Sequence, residues 1–390
     1  EKEGDAVKVA VLGYGTVGAG VYSMLSDAPG MEAGPVIVRP GKAVESFMVS
    51  DAALIFGDPT VDAVVETLGG LDPAYSYGMR ALEAGKHFIT ANKVMVASHG
   101  LELAALAREK GAAFLFSAAC GGGVPFLHNL ALSAETDRIE AVSGILNGTT
   151  NYMLDAMQRR GLSYGDALRE AQSLGYAESD PTADVSGLDA LRKMQLACAV
   201  AFGVLPQSGM LCEGMEHFTA ADVEDIQSRG LVCRLMARGS RAGESVSAYV
   251  EPVLFPRAAP ESSVFTNNNM ASYTGKRCGS IVLMGQGAGR FPTASAVLRD
   301  LSAAQQGARS MFPENCRAAE ADNREAVHSY YIRTGGFAAV RLSLRSVLAQ
   351  GEVVRAVTEP MSAEKMHALA QNIRKDGNDL FFAALEEELC

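Results

Sequence analysis

The chain has 390 residues, 48% of them apolar and 20% charged, and a net charge of -11. That length suggests two or three domains with cores large enough to need no disulfides. The acidic balance argues against nucleic acid or an anionic membrane as partner, since both need a basic face, and no apolar run reaches the ~18 residues of a membrane span.

The polar start Glu1–Ala6 has no apolar leader core, so no secretory signal is expected. Seven cysteines without close pairs fit reduced thiols in a cytoplasmic protein. No CxxC or HExxH spacing suggests a structural zinc.

Val7–Leu12 (VKVAVL) reads as a buried parallel strand, and Gly13-Tyr14-Gly15-Thr16-Val17-Gly18 follows it into a helical pattern. Further strands are predicted at Pro35–Val38, Val61–Glu66, Lys86–Ala91 and Ala113–Ser117, with helices at Ala74–Ala84 and Gly100–Lys110. This alternation implies an α/β fold, a Rossmann-type doubly wound parallel sheet over residues 1–135.

The pattern then changes. A strand at Arg138–Leu146 precedes helices at Tyr152–Arg160, Tyr164–Leu174 and Leu188–Phe202, with strands at Ser245–Leu254, Ala271–Tyr273 and Ser280–Met284. An α+β substrate and dimerisation domain is expected over 136–286. Gly287–Ala294 leads into a helix at Ala296–Gln306, and 307–327 reads as a polar linker. The rest, 328–390, reads as a small third domain: strand Ser329–Arg333, helix Ala338–Ala349, strand Val353–Glu359, helix Ala363–Arg374 and strand Asp379–Ala384.

The glycine motif sits where a dinucleotide fingerprint must, between a strand and the helix it opens. Gly13 allows the tight turn, Gly15 lets backbone approach a pyrophosphate, and Gly18 lets helix and strand pack closely. The second strand ends in Arg39-Pro40-Gly41-Lys42, without the carboxylate that usually receives an NAD ribose. Arg39 and Lys42 can pair with a 2′-phosphate, which favours NADP over NAD, or stand as a solvated surface pair. Two short motifs close other strands at their carboxyl ends, where such folds bind ligands: Glu66-Thr67-Leu68-Gly69-Gly70 and Thr90-Ala91-Asn92-Lys93.

Leu174–Lys193 (LGYAESDPTADVSGLDALRK) gathers Glu178, Asp180, Asp184, Asp189, Arg192 and Lys193. Asp189 and Lys193 are four apart, on one helical face, and the apolar run after them buries that helix. A lysine held by a carboxylate at the head of a buried helix suits proton transfer to a developing alkoxide; the same spacing also suits an exposed salt bridge. In Asn147-Gly148-Thr149-Thr150-Asn151, Thr149 or Thr150 is expected to cap a helix, with free amides able to take a carboxylate.

Taken together, VAVLGYGTVG, VVETLGG, TANK, SAACGGGVP, GILNGTTNY, LGYAESDPTADVSGLDALRK and GQGAGRFPTASAV resemble the homoserine dehydrogenase family, over roughly three quarters of the chain. The resemblance implies reduction of L-aspartate 4-semialdehyde to L-homoserine with NADPH, reversibly, in threonine, methionine and isoleucine biosynthesis. It makes Lys193 the catalytic acid or base, Asp189 its orienting partner, and Lys93 a second lysine near the nicotinamide and the reacting oxygen. Glu178 would bind the substrate's amino group, with Tyr176, Asp184, Thr149 and Gly148 lining the pocket. Gly13 to Gly18, with Arg39, Thr67 and Gly287, would hold the dinucleotide, and 287–306 would return to the nucleotide domain. The family also implies a homodimer or dimer of dimers.

Two departures from the family pattern stand out. Relatives hold a sodium ion through a Glu where this chain has Ser117, leaving the carbonyls of Cys120, Gly122 and Val124. Many relatives end in a threonine-sensing ACT domain; Ser329–Cys390 looks like a shortened one, with Gly335-Gly336-Phe337 in place of the usual Asp-x-x-Gly turn. An aspartokinase fusion is not expected.

Two competing readings differ in chemistry. A phosphorylating semialdehyde dehydrogenase needs a thiolate nucleophile, for which Cys120 is the one cysteine in a glycine loop. A non-catalytic dinucleotide sensor would have no need of Asp189 and Lys193, which are both present.

Overall fold

The computed structural model describes residues 6–335 and 342–386. The chain forms two compact units. The first comprises 1–137, 199–205 and 285–317; the second comprises 138–198, 206–284 and 318–390.

The first unit is built on six parallel strands: β1 (Val7–Leu12), β2 (Met31–Ile37), β3 (Met48–Val49), β4 (Ala63–Glu66), β5 (His87–Thr90) and β6 (Phe114–Leu115). Their order is β3-β2-β1-β4-β5-β6, that of a doubly wound dinucleotide fold. Val9 to Leu12 and Ala63 to Val65 are wholly buried, which explains the unbroken apolar runs: a parallel sheet is covered on both faces. The strand order reverses between β1 and β4, so their carboxyl ends open a crevice.

The helix Thr16–Leu25 packs on Arg290–Gln305, where a Cβ on Gly20 would meet the Arg290 backbone at 2.9 Å. The segment after this helix is not a loose linker. Met311 and Phe312 are buried, Phe312 lies 4.8 Å from the Phe116 ring, and Phe114 bridges in parallel to Ser310. A polar sequence hid these few anchoring apolar residues.

The second unit is built on one large mixed sheet. Ile139–Ile145 lies between Asn268–Gly275 and Leu231–Ala242, antiparallel to both. Leu231–Ala242 pairs with Ser245–Pro256 over twelve residues of each. Ser245–Pro256 then pairs in parallel with Leu380–Leu385, which continues to Tyr330–Gly335, Val353–Thr358 and Leu344–Ala349.

The tail therefore does not stand apart as a third domain. Its strands extend the sheet, and one core joins Ile145, Met236, Val253 and Phe255 to Tyr330, Ile332, Met366 and Phe382. Arg333 reinforces the junction, donating from Nε to the buried Asp222 at 2.7 Å and from Nη2 to the His217 carbonyl at 2.8 Å. The helix expected at Ala338–Ala349 is a strand from Leu344 on, the hairpin partner of Val353–Thr358; residues 338–341 lie outside the described residues, as does Gly336-Phe337.

Candidate functional site

In the first unit the glycine turn has the geometry its sequence demands. Gly13 has φ +100°, which favours glycine, and a Cβ on Gly18 would stand 2.1 Å from the Gly13 carbonyl oxygen. Around Gly15, by contrast, a Cβ would meet nothing within 4 Å, so the approach to its backbone is open. Gly15 caps Thr16–Leu25 without a side-chain hydrogen bond, and no acid stands in the first turn. These free amides and the positive dipole end suit a pyrophosphate.

A cleft of about 1070 Å³ opens beside this turn, lined among others by Gly13, Tyr14, Gly15, Arg39, Lys42 and Thr67. Arg39 and Lys42 are exposed at its wall, just past the end of β2. Tyr14 packs edge-on against Tyr22 and tilted against Phe47. The Thr67 hydroxyl donates to the Leu12 carbonyl at 3.0 Å and so ties the β4 loop to the glycine turn.

Lys93 opens the helix Lys93–Lys110, capped by Asn92, whose side chain accepts from the Met95 amide at 3.1 Å. The wholly buried Glu66 organises this end of the sheet, a role its sequence did not suggest. It accepts from the Leu68 amide at 2.6 Å, the Gly69 amide at 3.2 Å and the Thr90 hydroxyl at 2.5 Å. Burial pushes its carboxyl above the ordinary range, opposed by those hydrogen bonds.

The loop before Gly-x-Pro contains Cys120, Gly122 and Val124. The Val124 carbonyl accepts from the Phe126 amide at 2.8 Å. Ser117, in the position of the family's carboxylate, is buried; its amide and hydroxyl donate to Asp300, the amide at 2.8 Å. The loop thus supplies backbone carbonyls, which are hard oxygen donors, without a carboxylate of its own. Among the described residues no cluster of three or more His, Cys, Asp or Glu could hold a metal. Cys120 is wholly buried, which withholds its thiol from a bound substrate. Gly287 is buried against Gly122, with its carbonyl oxygen 2.4 Å from where a Gly122 Cβ would stand.

In the second unit the polar cluster closes into a network. Lys193 lies one turn into the helix Leu188–Phe202, whose later residues Met194 and Leu196 to Val200 are buried. Its ammonium donates to Asp189 Oδ2 at 2.7 Å and to the Leu146 carbonyl at 2.6 Å. Lysine and aspartate side chains are 13% and 11% exposed, so this is a largely desolvated pair and not the surface salt bridge the spacing also allowed.

Asp184, in the short helix Thr182–Val185, accepts from Asn147 Nδ2 at 2.7 Å and from the Thr149 hydroxyl at 3.1 Å. The single Thr149 hydroxyl hydrogen is shared between Asp184 and the nearer Tyr176 carbonyl at 2.6 Å, and the Tyr176 ring packs against Tyr152. A Cβ on Gly148 would meet the Asn267 carbonyl at 2.8 Å, so only glycine fits there. Glu178 stands exposed, outside this network. The helix Gly148–Arg160 is capped by Asn147, which accepts from the Thr150 amide at 2.8 Å, and not by either threonine. Asparagine before a helix is itself a capping signal, so this residue was open to discovery in the sequence.

Comparison with known proteins agrees with this division of labour. The family model described as "Homoserine dehydrogenase, NAD binding domain" matches residues 13–117, and the one described as "Homoserine dehydrogenase" matches 125–302. The homoserine dehydrogenase of Corynebacterium glutamicum is 38% identical over 319 residues, covering 76% of this chain and 72% of that one. That of Bacillus subtilis is 34% identical over 320 residues, covering 78% and 74%. A crystal structure of a homoserine dehydrogenase from Thiobacillus denitrificans superposes with a TM-score of 0.86 at 29% identity, covering 98% of each chain. One from S. aureus gives 0.76 at 26%, covering 98% of this chain and 99% of that one. With a glycine turn shaped for a nicotinamide dinucleotide and this breadth of similarity, the chain belongs to the homoserine dehydrogenase family, NAD(P)-dependent oxidoreductases.

Proposed function

We propose that this chain interconverts L-aspartate 4-semialdehyde and L-homoserine, preferring NADP(H). The observation that carries this reading is the Lys193 ammonium, clamped between Asp189 and the Leu146 carbonyl at the head of a buried helix. A bound dinucleotide supplies the hydride in reduction and receives it in oxidation.

The residues of the second unit handle substrate and proton. In reduction Lys193 donates a proton to the aldehyde oxygen as negative charge develops there; in oxidation it takes the proton from the hydroxyl. Asp189 fixes the ammonium and keeps it from turning into solvent. Glu178 and Asp184 hold the substrate's amino group, and the amides at Thr149 take its carboxylate. Tyr176 and Gly148 line the same pocket.

The residues of the first unit hold the cofactor. The amides from Gly13 to Gly18 receive the pyrophosphate, Thr67 keeps that turn in place, and Lys93 serves the nicotinamide end. Arg39 and Lys42 receive the 2′-phosphate, and the loop holding them has no carboxylate placed directly after β2 to prefer NAD. The biosynthetic substrate, and cysteines without close spacing, support a cytoplasmic location. A homodimer or dimer of dimers is the assembly we expect from the family.

One assay tests the reading. Purified protein with L-aspartate 4-semialdehyde should oxidise NADPH, followed at the nicotinamide absorbance, and should oxidise NADH less efficiently. Lys193→Ala should bind NADPH as the parent does yet lose on the order of 1,000-fold in kcat. Wild-type turnover in that variant would refute the assigned role.

A further inference from the structure

Asn147 is 4% exposed and spends its whole side chain on the network. Its carbonyl oxygen accepts from the Thr150 amide at 2.8 Å and the Thr150 hydroxyl at 2.9 Å. Its amide nitrogen donates to Asp184 Oδ1 at 2.7 Å and to Asp189 Oδ2 at 2.9 Å. The partners fix the amide's orientation, because the Thr150 N–H needs an acceptor and two carboxylates need donors.

No other side chain of this size meets both demands. Aspartate can cap the helix but offers no hydrogen when ionised. Serine and threonine can cap it but have a single hydrogen. The oxygen that Asn147 steadies on Asp189 is the one that holds Lys193. The residue just before it, Leu146, gives Lys193 its other acceptor. Asn147 thus steadies one anchor of the ammonium, directly follows a second in the chain, and joins Asp189 to Asp184.

We propose that Asn147 is a positioning residue for the reaction: its amide locks the Asp184 and Asp189 carboxylates together and so fixes where Lys193 meets the substrate oxygen. This rests on the assignment of Lys193 as the proton-handling group. Left without the amide, two neighbouring carboxylates repel, and each can swing toward water or toward the ammonium on its own.

Asn147→Asp and Asn147→Ser test this, because both keep a good helix cap while removing the paired donors. Both variants should still fold cooperatively and bind NADPH with unchanged affinity by fluorescence titration, Asn147→Ser melting a little below wild type and Asn147→Asp lower still, because it sets a third carboxylate beside two. Both should lose roughly 100-fold in kcat for homoserine oxidation, the scale of a small misplacement of a catalytic group. The added carboxylate of Asn147→Asp should also raise the pKa of Lys193, moving the pH of half-maximal oxidation alkaline by about one unit. The uncharged Asn147→Ser should not show that displacement.

A residue that merely caps the helix predicts wild-type kcat and an unmoved pH profile in both, and that result overturns the proposal. Lys193→Ala is measured beside them. If it turns over normally, the reading of Lys193 fails and takes this proposal with it. If it is inactive while both Asn147 variants behave as wild type, only the proposal about Asn147 fails.

Discussion

Asp300 shows how far one buried side chain departs from its solution behaviour. It lies on the helix Arg290–Gln305 and accepts from the Ser117 amide and hydroxyl, yet burial outweighs both and raises its pKa from 3.8 to about 7. A carboxyl whose folded pKa is raised binds its proton more tightly when folded than when unfolded. Its stabilising contribution is therefore complete below pH 3.8 and is lost as pH climbs through about 7. Asp300→Asn removes that dependence. Its unfolding free energy relative to wild type should improve across this window, by on the order of 1 kcal/mol per pH unit. Denaturant melts at a series of pH values check this, and a difference that stays constant with pH would count against the raised pKa. The pairing with Ser117 was invisible in the sequence, because the two residues are 183 positions apart.

At the scale of elements, legibility followed the strength of the local pattern. The helix Leu188–Phe202 is legible to the residue, since Gly187 precedes it and a long apolar run follows its polar start; in the structure that glycine has φ +83°. The strand Leu231–Ala242 was missed because Arg234, Arg238 and Arg241 break its apolar pattern. Arg234 is 2% exposed even so, and donates to the Glu261 and Ser262 carbonyls, each at 3.1 Å. Backbone acceptors thus make an interior arginine tolerable, and they are brought in only by the fold. The segment Leu344–Ala349 has a helical pattern in sequence, but its pairing with Val353–Thr358 across a short connection containing Gly351 makes it a strand. The glycine turn allows an element-scale prediction. In Gly18→Ala the new methyl would press on the Gly13 carbonyl oxygen and the Thr67 hydroxyl, driving helix Thr16–Leu25 off β1. Stability should fall by about 1–3 kcal/mol, and NADPH affinity should fall with it. Melting curves and a fluorescence titration would expose the error if both stayed unchanged.

At the scale of the whole molecule, the tail is the point on which sequence and structure part. The curated relatives cited above match 76–78% of the chain, whereas the two crystal structures match 98%. A chain ending at Ala326 would lose the strands Tyr330–Gly335 and Leu380–Leu385 and uncover Val253, Phe255 and Met236. It should fail to give a soluble protein with a cooperative melt. A soluble, active product would instead show the tail to be a separable appendage. The sequence by itself determined the dinucleotide fold, the family and the lysine–aspartate pair. Those signals are local: a strand, a glycine spacing and a four-residue helical step each fit within a few turns of chain. Tertiary structure alone decided that the tail completes the second unit's sheet, that Ser117 faces Asp300, and that Asn147 joins two carboxylates 37 and 42 residues downstream. Hydrogen bonds and strand pairing between such distant segments depend on which backbones the fold brings side by side, and no local period encodes that.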